Sequence, residues 1–403
     1  MAAITEAPEH SNHDVVIVGG AMMGSFTAWL LTESPDLDGG VLVVERDTTC
    51  EACSTARTDS CMHQQFSEGL NVRFGKFAAE FVNDFWYCLG GDERVPEILL
   101  RSRGCMHLAD TEGFADVLRA ILAVQRAAGA GTVLMTVDEI KADHPFRNVD
   151  DIVPGSINTV DEGYWDGPTV FDWLRRNVRE RDVEYVENEV AAMTRPGGRI
   201  ESVTLHSGDV AARGRVVNAS GPRASRTAGM AALDVPVEPR KRFSRIFFAE
   251  RPLERDLPLT VDPTGVHVRE NGGGTHLAGG CPDHEPAVDC DDFTMDRTLW
   301  QDLVGPTLAA RIPRFEAIKV TSEWAGHCAC NTLDQNAIMG PHPEVGSFIF
   351  LNGFSGHGLR QSPAMGRGTA EWLTCGEYGA LDLALFNCER IVKNAPIVER
   401  AVI

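Results

Sequence analysis

The sequence is short of positive charge. Its 37 Lys and Arg are outnumbered by 58 Asp and Glu, for a net charge of −21. So acidic a chain speaks against a nucleic-acid partner, whose phosphates need a positive face, and against steering toward anionic lipid. No apolar run reaches the ~18 residues that would suggest a membrane span. The opening stretch, MAAITEAPEHSNH, lacks the basic start and apolar centre of a secretory signal and the arginines of a transit peptide. It reads as a frayed leader, and the protein is expected to be cytoplasmic. Cysteine is present, but its eleven copies are an odd number in a chain of 403 residues. That argues for free thiols, many of them buried, rather than a disulfide scaffold. Two clusters hold residue types of a zinc site: CEAC at Cys50–Cys53, followed by Cys61 and His63, and HCAC at His327–Cys330. Neither has the second C-x-x-C that would make the signal strong, so no metal is expected.

What is present is an ordinary globular composition, 43% hydrophobic and 24% charged, in a length that suggests two or three domains. HDVVIVGGAMMGSFTAWLLTE begins with a short apolar run, Val15 to Val18, that suits a buried parallel strand. Glycines follow, then Phe26, Trp29 and Leu30 at helical spacing, then a second apolar run, Val41 to Val44. Strand, glycine turn, helix and strand make a βαβ unit. Phe74, Phe77, Phe81 and Phe85 recur at helical spacing and predict core packing. Thr111 is positioned as the N-cap of a further helix ending near Gly129. Val216 to Asn218 reads as another buried strand, about Val235 to Gly280 is β-rich, and SFIFLNGFSGHG ends the chain's last strand in a glycine loop. The fold class expected is α/β with two domains. A discontinuous nucleotide-binding domain comprises residues 1–90, 150–232 and 322–403, and a β-rich domain of 91–149 and 233–321 is inserted into it.

The turn GGAMMG places Gly19, Ala21 and Gly24 at the G-x-A-x-x-G spacing of a dinucleotide fold. The first position makes a tight turn, the second lets the backbone approach a pyrophosphate, and the third lets helix pack on strand. A methyl group at Ala21 weakens the match. The pyrophosphate would lie on the helix N-terminus, where free N–H groups and the helix dipole favour an anion. Glu45, about twenty residues on at the end of the second strand, stands where an acid binds ribose hydroxyls. The other glycine-rich turn, NGFSGHGLRQSP, holds Gly353, Gly356 and Gly358 around His357, with Arg360 just beyond and Pro363 opening a predicted helix.

ERDTTCEACSTARTDSCMHQQFSEG, VVNASGPRAS and GFSGHGLRQSPAMGRGTAEWL together resemble the D-amino-acid oxidase family of FAD-dependent oxidoreductases. That family includes glycine oxidase, monomeric sarcosine oxidase and dimethylglycine dehydrogenase. VEPRKR, NTLDQN, GPHP and QQFS are similar to one branch of it, which has a mitochondrial assembly flavoprotein. The resemblance implies a Rossmann-like FAD-binding domain of the glutathione-reductase type with a β-rich substrate domain. It implies that Gly19, Gly20, Ala21, Met23, Gly24, Glu45 and Arg46 meet the ADP half of FAD, with Val190 on the adenine side and Ala219 and Gly221 near the pyrophosphate. Ser54, Thr55, Ser60 and Cys61 would lie along the flavin. Gly353, Phe354, Gly356, His357, Gly358 and Leu359 would pass its ring, with the following helix aimed at the N1/C2=O edge, where reduction builds negative charge.

The implied reaction is hydride transfer from the α-carbon of an amine or amino acid to flavin N5, giving an imine that water hydrolyses, with oxygen or a protein as electron acceptor. Arg360 matches a carboxylate-binding position and suits a carboxylate by its paired N–H groups. His63 and His267 fall at substrate-facing positions. His276 aligns with the lysine credited with oxygen activation in sarcosine oxidase. The glycine-oxidase arginine is missing from WAGHCAC, which disfavours a glycine-sized substrate. Cys328 or Cys330 lies near a covalent flavin attachment point, but the register is off, so non-covalent FAD is expected. A 2-hydroxy-acid oxidase and a non-catalytic assembly flavoprotein are the competing readings.

Overall fold

The computed structural model describes residues 4–37, 39–181, 183–212, 214–281 and 285–400. The apolar runs at the two ends of the chain build one sheet. Val15–Val18 lies at its centre, parallel to Val41–Glu45 on one side and to Arg215–Asn218 on the other. Glu184–Glu187 continues one flank, and Phe348–Asn352, then the antiparallel edge strand Ile338–Pro341, continue the other. All four residues of Val15–Val18 and all five of Phe348–Asn352 are buried. A strand covered on both faces has no reason to alternate polar with apolar, and these runs do not.

Two helices cross on one face of this sheet, Met22–Glu33 from the start of the chain and Gly358–Cys375 from its end. They touch backbone to side chain. A Cβ on Gly366 would lie 2.7 Å from Phe26 Cβ, so the contact tolerates only hydrogen there. The Phe stripe packs against the same place. Phe26 and Phe81 rings are 5.0 Å apart, and Phe81 and Phe85 are 5.7 Å apart. The stripe's helix runs Gly69–Asn83, with a short second turn at Phe85–Cys88. Thr111 caps Glu112–Ala127 as expected, its hydroxyl accepting the Phe114 N–H at 3.3 Å.

The other large sheet has eight strands. Ile318–Asn331 and Val237–Ala249 form its longest pair, followed by Thr275–Gly280, His267–Gly272, Leu259–Val261, Cys105–Ala109, Val153–Asn158 and Val133–Met135. Two expected boundaries therefore shift. Val153–Asn158 falls in the expected 150–232 nucleotide-binding piece, yet it pairs with Cys105–Ala109 and Val133–Met135 in this sheet. Ile318–Asn331 runs unbroken across the expected boundary at 322. Both shifts have one cause: strand partners are chosen by backbone hydrogen bonding between distant segments, which local sequence does not display.

One face of the eight-stranded sheet is covered by the helical stretch Trp300–Arg311, with Val304 and Leu308 in one apolar cluster with Phe247 and Ala278. No helix among the described residues is long and apolar enough to cross a membrane.

Candidate functional site

A cavity of about 350 Å³ extends from the carboxyl ends of the central parallel strands to the glycine loop before the last long helix. Ligands of open α/β sheets sit at such strand ends, where the strand order reverses. Gly19 follows Val15–Val18, and Ala219 follows Arg215–Asn218, so the two turns meet there. A Cβ on Gly19, whose φ is +101°, would lie 2.5 Å from the Ala219 carbonyl oxygen. Gly24 is as constrained, its notional Cβ 1.9 Å from the Gly19 oxygen. Gly19 requires glycine for conformation as well as space, and Gly24, within the first helix, for space alone.

Ala21 is the N-cap of the first helix and supplies no side-chain cap. The Met22 N–H instead meets the Thr55 hydroxyl at 3.3 Å. Glu45 turns back onto the glycine turn. One carboxylate oxygen accepts the Gly20 N–H at 2.7 Å and the other the Asp47 N–H at 3.0 Å. Burial raises its pKa, against the pull of those two N–H groups.

Most of the sequence-predicted residues line this one cavity. Gly19, Ala21 and Met23 do so from the first turn, and Glu45, Arg46, Ser54, Thr55 and Cys61 from the second strand and its loop. Val190, Ala219 and Gly221 line it from the middle of the chain, and Phe354, Gly356, His357, Gly358 and Leu359 from the glycine loop and the helix start. His63, His267 and Arg360 border it as well.

Gly20, Gly24, Ser60 and Gly353 lie behind the wall. A Cβ on Gly20 would be 2.1 Å from the Tyr185 hydroxyl, and one on Gly353 3.1 Å from Asn331 Cβ. Ser60 is buried at φ +53° and receives the Trp165 N–H on its carbonyl at 3.2 Å.

His276 does not face the cavity. Its ring stacks on Phe247 at 5.5 Å and meets Phe315 edge-on at 4.9 Å, on the helix-covered side of the eight-stranded sheet. Burial lowers its pKa to about 4, so it is neutral near pH 7. Alternation along the strand explains the miss, since one step in register exchanges one face for the other.

The predicted helix start is also corrected. The helix begins at Gly358 rather than Pro363, with His357 as an N-cap that offers no side-chain bond. Pro363 lies within it and has no N–H for the Leu359 carbonyl. The Ser362 hydroxyl donates to that carbonyl instead, at 2.7 Å.

At this end of the cavity Arg360 is 5% exposed. One Nη2 hydrogen bond goes to His357 Nδ1, the guanidinium lies 4.9 Å from the Phe66 ring centre, and Nε has no partner. Among the described residues it forms no ion pair. Burial lowers its pKa to about 9, still charged at neutral pH. His63 stacks on Phe66 at 4.9 Å, 6.0 Å from the His357 ring. Burial, then the Arg360 charge, hold both imidazoles well below their ordinary pKa, so both are neutral.

Opposite them is a group the sequence reading did not single out. Asp59 accepts from the Ser244 hydroxyl at 2.6 Å and pairs with His267 Nε2 at 2.9 Å. Arg269 Nη2 donates to the Asp59 carbonyl at 2.7 Å. Burial opposes the Asp59 charge, but His267, Ser244 and Arg269 outweigh it and lower the pKa. The only sequence signal was an acid inside the small-residue string STARTDS. Among the described residues no three His, Cys, Asp or Glu side chains gather as metal ligands.

The family described as DAO, FAD dependent oxidoreductase, matches residues 14–372. The chain belongs to that family. FAD-dependent oxidoreductase domain-containing protein 1 of Xenopus laevis is 34% identical, over 97% of this chain and 85% of its own. Among solved structures, L-proline dehydrogenase from P. horikoshii superposes with a TM-score of 0.81 at 22% identity, covering 98% of this chain and all of that one. Glycine oxidase from Geobacillus kaustophilus gives 0.79 at 21% identity, covering 94% and 99%.

The chain is thus an FAD-dependent oxidoreductase of mixed α/β fold. The residues present fit an extended dinucleotide. The Gly19 and Ala219 turns leave room for backbone approach, the first helix has no side-chain cap at Ala21, and the cavity continues unbroken to the buried cation Arg360.

Proposed function

We propose that this DAO-family protein oxidises a secondary amine bearing a carboxylate, an N-substituted amino acid. The observation that carries the reading is Arg360, a buried guanidinium at the cavity end with no carboxylate partner among the described residues. A buried charge with no carboxylate in direct contact is costly, and a substrate carboxylate meets that need with paired hydrogen bonds. The His357 contact and the Phe66 ring fix the plane in which the guanidinium presents its remaining N–H groups. The superposition on a proline dehydrogenase, named for a secondary amino acid, is in keeping with this choice.

The ADP half of FAD is assigned to Gly19, Ala21, Glu45, Arg46, Val190 and Ala219, and the ring to Ser54, Thr55, Cys61 and the loop Phe354–Leu359. Bound FAD supplies the two-electron acceptor for the hydride of the substrate α-carbon. The protein's own part is to hold and deprotonate the amine. Arg360 fixes the carboxylate, and His267, oriented by Asp59 through Nε2, takes the ammonium proton so that the nitrogen lone pair is free. The imine product hydrolyses in water. His63 and His357 stay neutral beside Arg360 and shape the pocket rather than exchange protons. His276, stacked behind the sheet, is assigned no part in oxygen activation.

The test is anaerobic mixing of the yellow holoprotein with N-alkyl amino acids. Rapid bleaching of the flavin absorbance supports the reading. Bleaching only by 2-hydroxy acids would replace it with hydroxy-acid oxidation, and bleaching by neither would favour a non-catalytic assembly role.

A further inference from the structure

The C-x-x-C pair is the cavity feature that the oxidation of a substrate does not use. Cys50 and Cys53 both line the cavity, at the end marked by Glu45. The Cys53 N–H bonds to the Cys50 carbonyl at 3.1 Å. An i to i+3 bond of this kind brings the two Cα atoms within about 7 Å, the range a disulfide can bridge. Both thiols are free.

The surroundings of the two sulfurs differ. Cys53 Sγ accepts the Ala56 N–H at 3.4 Å and is also approached by the Thr55 N–H. The Cys50 thiol and these N–H groups hold Cys53 below the ordinary thiol range, against burial and the Glu45 charge. Cys50 lies against the Asp47 carbonyl at 3.4 Å and keeps its proton, with Cys53, burial and Glu45 all favouring the thiol and only Arg175 opposing. One sulfur is thus equipped as a thiolate and its neighbour as a reserve thiol, the division of labour of a C-x-x-C redox pair.

We infer that Cys50 and Cys53 form a thiol–disulfide exchange site in the cavity wall, with Cys53 the attacking and Cys50 the resolving sulfur. The oxidant class is a small organic disulfide. The Cys53 thiolate attacks one of its sulfurs, forming a mixed disulfide and releasing one thiolate, which takes up a proton. Cys50 then gives its proton to water and attacks the Cys53 sulfur, expelling the second thiolate, which is protonated in turn. The protein loses two hydrogens to its new S–S bond, and the reagent gains them as two thiols. This inference does not depend on which substrate the flavin oxidises.

The experiment treats the full chain, before and after loading with FAD, with 2-hydroxyethyl disulfide, a small uncharged probe suited to an acidic chain, and maps every cysteine by peptide mass spectrometry. Before FAD is loaded, the expected result is a peptide lighter by two hydrogens that joins Cys50 to Cys53, formed at least about tenfold faster than any adduct on the exposed Cys375, and loaded FAD, which covers this wall, should slow that reaction. Cys50→Ser should stop at a stable mixed disulfide on Cys53. Cys53→Ser should leave Cys50 unreacted. Modification of Cys375 while Cys50 and Cys53 remain free would overturn the inference, as would equal reaction of the two single variants. The measurement on the unsubstituted chain stands even if a variant folds poorly.

Discussion

The two ends of the cavity are built by different means. The dinucleotide end is a backbone construction: two tight turns, a helix N-terminus and a returning carboxylate, most of it within residues 15–45. The proposed substrate end is a side-chain construction. Arg360 and His357 come from the last long helix and its cap, Asp59 and His63 from either side of the short strand Cys61–Met62, and Ser244 and His267 from two strands of the other sheet. Backbone sites need particular residue types at fixed spacing, because only glycine fits where two chains nearly touch. Side-chain sites can draw on distant positions, and so can change specificity without disturbing the cofactor cradle.

The sharpest test of that division is Gly19→Ala. The methyl group would meet the Ala219 carbonyl at 2.5 Å, at a φ of +101°. A loss on the order of 3 kcal/mol is expected, seen as loss of most bound flavin absorbance and a lower Tm. A protein that kept its flavin would show that the cradle is not as tight as the geometry says.

Next comes Arg360→Met, which should leave flavin content unchanged and lower kcat/KM for a carboxylated amine by about 2–3 kcal/mol, roughly 30- to 150-fold. The loss should disappear with the substrate's amide. In the unsubstituted protein, KM should climb above pH of about 9. Arg360 is charged below that value and neutral above it, so carboxylate binding fades as pH rises.

Asp59→Asn should act more gently, lowering kcat about tenfold with little change in KM, since it acts through the orientation of His267. Raising the pH should restore part of the rate, because the free amine then arrives already deprotonated. A rise in KM without loss of kcat would instead make Asp59 a binding residue.

The smallest effect is expected from His276→Phe. The ring lies between Phe247 and Phe315 and carries no charge near pH 7. Turnover and flavin reoxidation by oxygen should change less than about twofold, with stability shifted by about 1 kcal/mol or less. A large fall in reoxidation would return this residue to the oxygen chemistry that the resemblance implied.

Most of the cradle was legible because its determinants are local. Glycine spacing, an apolar run and an acid at a strand end appear side by side in sequence. The cavity-lining segments around Ser54, Ala219 and Gly356 were legible through resemblance. The rest depended on contacts that sequence does not carry. The start of the last long helix was misplaced because proline usually opens helices, whereas here the Ser362 hydroxyl supplies the hydrogen bond that Pro363 cannot. The pairing of Val153–Asn158, which falls in the expected 150–232 piece, is not legible because its partners lie 44 and more residues away in the chain for one and about twenty for the other.

The sequence by itself determined the chemistry available: a dinucleotide turn, a second glycine loop, and a pool of Arg, His and Asp near both. Those are properties of residue type and short spacing. The tertiary structure alone decided which of them act together. It turned His267 toward Asp59 and His276 away from the cavity, and it left Arg360 buried beside His357 with no ion-pair partner among the described residues. The physical reason is that a strand's alternation sends neighbouring side chains to opposite faces, and the register that selects the face is fixed by pairing between segments far apart in the chain.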